Sequence, residues 1–217
     1  MYNPASFREP DLGRMHDLIR QHPLGLLISS GPSGLLASPV PFLLDAGAGE
    51  SGILRAHLAR ANPHWKEFVE GGDCLVVFQG EQGYVTPGWY PSKAETHRAV
   101  PTWNYAAVQV RGRVTVHDDA EWLRAQLDAL TAGHEGKRAQ PWALSEAPED
   151  FIASQMKAIV GLEILITQIE GKWKMSQNRP LPDRSGVIAG LTDPADPHTH
   201  PALGEIVAQR LRESGEK

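Results

Sequence analysis

Strands and helices do not alternate strictly along this chain, and that order excludes more folds than any other feature of the sequence. Residues 24–29 and 35–44 are apolar runs joined by Ser30-Gly31-Pro32-Ser33-Gly34, which predicts a β-hairpin. Further strands are predicted at 52–57, 74–79 and 84–87. Residues 99–117 read as one long or bent strand: Val108, Val110, Val114 and Val116 keep period two, and Gly112 permits a bend or bulge. A strand at 162–169 is followed by a turn at Gly171-Lys172 into 173–176. Helical spacing is found after Asp11 (Leu12, Met15, Leu18, Ile19), after Asn62-Pro63, and at 121–130, 149–159, 183–191 and 202–211. These helices do not alternate strictly with the strands, which disfavours a doubly wound parallel sheet. The pattern predicts an α+β chain with a closed or nearly closed antiparallel barrel and covering helices.

The 217 residues suit a single domain, with 192–217 as a C-terminal helical extension. A chain of this length buries about 70% of its unfolded surface, and 41% apolar against 22% charged residues is an ordinary globular balance. The net charge of −5 includes no clustered basic patch, so direct DNA binding is weakly supported. Cys74, the one cysteine, points to a reducing compartment, the cytoplasm, and its apolar run 74–78 predicts an inert buried thiol. No apolar stretch reaches the ~20 residues of a membrane span, and the N-terminus has no signal-peptide pattern. Nucleophile-elbow, Walker and dinucleotide fingerprints are absent. His198 and His200 beside Asp196 lack a supporting ligand motif and read as a surface loop, with no metal expected.

Three segments are more polar, or richer in rigid aromatics, than packing requires. At 55–63 a strand feeds a helix start, with His57, Arg60 and Asn62 on the junction. Such a junction suits an anion, through free N–H groups and a guanidinium fork; from this segment alone, a solvated arginine and a helix cap describe it better. At 100–105, Trp103 and Asn104 supply a flat wall and an amide for a planar heterocycle, or an aromatic corner closing the barrel. At 174–179, Lys174, Ser176, Gln177, Asn178 and Arg179 crowd hydrogen-bonding side chains directly after Trp173, as a ligand site or a solvated loop would.

Taken in order, these stretches resemble the PaiB-like FMN-binding family of negative transcriptional regulators. The resemblance rests on Met1-Tyr2-Asn3-Pro4, His22-Pro23-Leu24-Gly25, Pro41-Phe42-Leu43-Leu44, and the run from His57 to Pro63. It continues through Phe78-Gln79-Gly80, Tyr84-Val85-Thr86-Pro87, Trp89-Tyr90, Val100 to Tyr105, and Lys174 to Arg179. It covers the chain to about Leu191. One departure is visible: the family's Ala-Ser-His reads Ala37-Ser38-Pro39 here, so a proline replaces a polar side chain and removes a backbone donor.

The resemblance implies a split β-barrel related to the pyridoxamine-phosphate-oxidase flavoproteins, a homodimer, and FMN held in clefts at the interface. On that reading His57 and Arg60, near Asn62, clamp the flavin phosphate. The ring lies against Trp103 and Asn104, and Lys174, Ser176, Gln177, Asn178 and Arg179 meet its edge or reach across the dimer. The expected function is an FMN-binding regulator. A flavin-dependent oxidoreductase is the first alternative and a haem-binding or haem-degrading protein the second. The residues single out no catalytic acid or base.

Overall fold

The computed structural model describes residues 1–31 and 34–215. The hairpin turn expected at 30–34 therefore falls partly on Pro32 and Ser33, outside the described residues. The strands are β1 (Arg8–Glu9), β2 (Leu24–Gly31), β3 (Gly34–Pro41), β4 (Leu43–Asp45), β5 (Ile53–Ala59), β6 (Gly72–Val85), β7 (Thr102–His117) and β8 (Ile159–Lys174). The helices are α1 (Leu12–Gln21), α2 (Ser92–Thr96), α3 (Ala120–Glu135), α4 (Glu149–Met156), α5 (Leu181–Thr192) and α6 (Pro201–Glu213). One sheet runs in the order β3-β2-β6-β7-β8-β5-β4, with β1 added beside β8. The described residues fall into two compact units. One holds Met1–Asp11, Gln79–Val108 and the chain from Glu170 on; the other holds Leu12–Phe78 and Gln109–Ile169.

In the second unit the hairpin register pairs Leu24 with Pro41, Leu26 with Pro39 and Ile28 with Ala37, and β6 adds Val77 beside Leu26 and Leu75 beside Ile28. Paired residues share a face. The inward set, Leu27, Val40, Val76 and Phe78, is buried; each such side chain contributes about 1.5–3 kcal/mol by leaving water. The outward set is also apolar, and Leu24, Leu26, Ala37, Pro39 and Pro41 are exposed. Pro39 is tolerated because β3 ends the sheet order and needs no partner on its far side. Cys74 lies on the inward face of β6, buried.

Across the same unit α3 lies on β5 and β8. Gly161 on β8 lacks the side chain that would meet Trp122: a Cβ there would come within 2.2 Å of the indole. Leu123, Leu144, Ile152 and Met156 form a small apolar cluster between α3 and α4. In the first unit, Met175, Val187, Leu191, Leu203 and Val207 are buried around α5 and α6.

Several strands run longer than the sequence spacing predicts. The strands expected at 74–79 and 84–87 are one strand, β6, and the turn expected at Gly171-Lys172 is part of β8, near its C-terminal end. Gly171 is held there by pairing with Glu9 of β1. The helix expected after Asn62 is a six-residue 3-10 turn, Pro63–Phe68.

Candidate cofactor site

The first unit gathers most of the polar residues singled out above. β7 begins at one side of the site with Thr102, Trp103 and Asn104; β8 ends beside it at Lys174. Gln177 closes the end of β8: its Oε1 accepts from the Met175 N–H at 2.6 Å, and its Nε2 donates to the Trp173 carbonyl at 2.6 Å. Ser176 sits at φ 62°, a left-handed conformation that few non-glycine residues adopt. Asn104 holds it there, donating from Nδ2 to Ser176 Oγ at 3.0 Å and accepting from that hydroxyl at Oδ1 at 3.1 Å. Both residues are buried. A strained backbone fixed by a buried amide is the kind of outlier that concentrates at functional sites.

Lys174 donates from Nζ to Thr102 Oγ1 and, at 2.6 Å, to the Trp103 carbonyl. Burial pushes its ammonium below the ordinary lysine range, and the neighbouring Lys172 and Arg179 push the same way. Arg179 lies over the Tyr90 ring at 4.8 Å. Lys172 sits between the rings of Tyr2 and Tyr105, at 5.6 and 5.3 Å, and donates to the Tyr2 carbonyl. Among the described residues none of these three cations has a carboxylate within ion-pair distance. Lys174, Arg179, Thr102, Asn104, Ser176 and Asn178 line a small cavity of about 40 Å³. Trp103, half exposed, stands edge-on to Tyr84 with centroids 6.2 Å apart. A phosphate dianion needs cations and donors at one place, and this cluster supplies both without a competing acid.

His57, Arg60 and Asn62 belong to the second unit, and there the expected clamp meets prior commitments. Arg60 grips Asp118 with both terminal nitrogens and donates to the Lys157 and Ile159 carbonyls at 2.9 Å. The pair holds the Asp118 carboxyl below its usual range. His57 hydrogen-bonds through Nδ1 with Gln126 Oε1 at 3.2 Å, and burial lowers its pKa, favouring the neutral ring. Asn62 caps the 3-10 turn by accepting the His64 N–H at 3.0 Å. A single 3-10 turn carries little of the dipole that a long helix brings to an anion. Arg60 thus already has its counter-ion.

Sequence reasoning missed Lys172, although its spacing of two from Lys174 on one strand puts both side chains on one face. It also missed His64, buried between Ser38 Oγ at Nδ1 and Ser29 Oγ at Nε2, both at 2.9 Å. Burial lowers its pKa too.

Residues 1–168 match the model of a family described as "Putative FMN-binding domain". The chain belongs to that family. A relative from Emericella nidulans is 34% identical to this FMN-binding family member, over 100% of this chain and 98% of its own. Protease synthase and sporulation protein PAI 2 of Bacillus subtilis, the PaiB relative, is 26% identical over 98% of this chain and 99% of its own. Among solved structures, the FAD and haem binding protein of Mycobacterium smegmatis superposes with a TM-score of 0.56 at 20% identity, over 77% of this chain and 73% of that one. Conserved hypothetical protein Rv2991 of Mycobacterium tuberculosis gives 0.56 at 10% identity, over 83% and 94%. At such identities the likeness shows the fold, the split β-barrel expected from the sequence. The cofactor of the family is FMN.

Proposed function

We propose that this chain is a PaiB-type flavoprotein that holds the FMN phosphate at Lys174, Arg179 and the Ser176 hydroxyl, with Lys172 adding charge and the Trp103 indole offering the flavin a flat wall. The observation that carries this reading is the cluster of three cations with no carboxylate partner among the described residues. Bound FMN would supply reversible acceptance of a hydride or of single electrons. Asn104 keeps the Ser176 hydroxyl in place, and Gln177 fixes the strand end from which Lys174 projects. His57, Arg60 and Asn62 are assigned to holding the exit of β5 in shape.

FMN fluorescence quenching tests the assignment. Lys174→Met should weaken binding about ten- to a hundredfold, the weight of one charge-assisted hydrogen bond, whereas Arg60→Ala should bind FMN as the parent chain does. The opposite pattern would return the phosphate to Arg60.

The regulatory role rests on the likeness to the Bacillus subtilis sporulation protein. With a net charge of −5, such a role would run through a protein partner or the flavin state more readily than through an operator. A gel shift at physiological salt should show no specific band. A second reading, a flavin-dependent oxidoreductase, draws on the same cations: positive charge beside a flavin favours its reduced, negatively charged form. NADH oxidation with added FMN measures it. Cytoplasmic residence fits the single reduced thiol. A homodimer is supported by the outward apolar face of β2, β3 and β6, since soluble monomers rarely leave a large apolar patch open.

A further inference from the structure

We propose that the cleft between α1, β4 and α3 binds a small amphipathic acid, an aliphatic or aromatic carboxylate with its apolar body inside and its charge at the rim. The cleft has a volume of about 710 Å³, within the roughly 300–1,000 Å³ range of small-molecule sites. Pro23, Phe42, Leu44 and Leu130 give it an apolar floor. Arg20 from α1, and His134 and Lys137 from the end of α3 and just beyond, stand around it. The one carboxylate in the lining, Asp17, is already bonded to Arg20 Nη1 at 2.9 Å. Lys137 has no ion pair among the described residues, so the rim keeps a net positive charge. An apolar floor under a cationic rim matches a carboxylate with a hydrocarbon body; it offers a cationic amphiphile no free acid and leaves a neutral one without charge pairing.

Gly133 supplies an independent reason. It lies within the last turns of α3, where glycine costs the helix about 1 kcal/mol relative to alanine. Packing does not demand it: a Cβ there would meet only Leu43 Cδ1, at 3.9 Å, an ordinary contact. Its effect is to leave that wall of the cleft without a side chain. None of the lining residues belongs to the proposed flavin site, so the two sites can be tested separately.

Calorimetric titration of the full FMN-loaded chain with decanoate is the test, with decanol and decyltrimethylammonium as neutral and cationic counterparts of equal length. Decanoate should bind saturably at one site, at least tenfold more tightly than either counterpart. Lys137→Glu should weaken it at least tenfold. Gly133→Leu, which adds a good helix former and fills the cleft, should abolish it while leaving the flavin visible spectrum and the melting transition in place. Absence of a saturable heat, equal binding of decanol, or parental binding by Gly133→Leu would each overturn the proposal.

Discussion

Lys174 sits below the ordinary lysine range because burial disfavours its charge first and Lys172 and Arg179 disfavour it next. Between that lowered value and 10.5, the unfolded chain binds more protons than the folded one. Stability of the flavin-free protein should therefore rise as pH climbs through that window. Melting curves taken from pH 7 to 10 check this; Lys174→Met should flatten the rise, and bound FMN should mask it by restoring a counter-ion. His64 works on the acid side. Its folded pKa lies below 6.5, so stability is full above 6.5 and is lost as pH falls from there toward the folded value. His57 shares that sign. Melting temperatures between pH 7.5 and 5 should fall, and His64→Gln, which can still bond Ser29 and Ser38, should fall less. The density of polar side chains at 174–179 was legible in the sequence because they are consecutive. The pairing of Arg60 with Asp118, 58 residues away, was not, because nothing local encodes a long-range partner.

At the scale of elements, one glycine explains where expectation and structure part. Gly83 reads as part of a break between two strands, yet β6 passes through it. A Cβ there would stand 2.7 Å from Leu203, so the glycine admits α6 instead of turning the chain. The period-two valines of β7 and the hairpin of β2 and β3 were legible, since their inward faces are buried as alternation requires. The same logic makes α5 testable. Trp89 lies against Gly190, where a Cβ would come within 2.3 Å of the indole, and Asp196 accepts the indole N–H at 2.9 Å. Alanine at 190 would gain about 1 kcal/mol of helix propensity, but overpacking against a fixed ring costs about 1–3 kcal/mol, and here the clash is deep. With the upper end of that cost, a net loss of about 2 kcal/mol, Gly190→Ala should lower the melting temperature by about 4–8 °C, measured by far-ultraviolet circular dichroism.

For the whole molecule, the proposed dimer turns on the outward face of β2, β3 and β6. Leu24, Leu26, Ala37, Pro39 and Pro41 are exposed in one chain, and a second copy would remove them from water. Light scattering after gel filtration should give a dimer. Leu26→Glu, which would bury an unpaired carboxylate in that contact at a cost of about 3 kcal/mol or more, should shift the equilibrium over a hundredfold toward monomer. A monomeric parent chain would sink the dimer.

The interior placement of Cys74 has a bearing on redox damage. Burial pushes its thiol up to about 12, so at neutral pH about one molecule in 10⁵ carries a thiolate. Peroxide attacks the thiolate, not the thiol. A flavin that meets oxygen can release peroxide; the one cysteine of this chain is then a poor target for it, and the core of β6 survives the by-product of the cofactor's own chemistry.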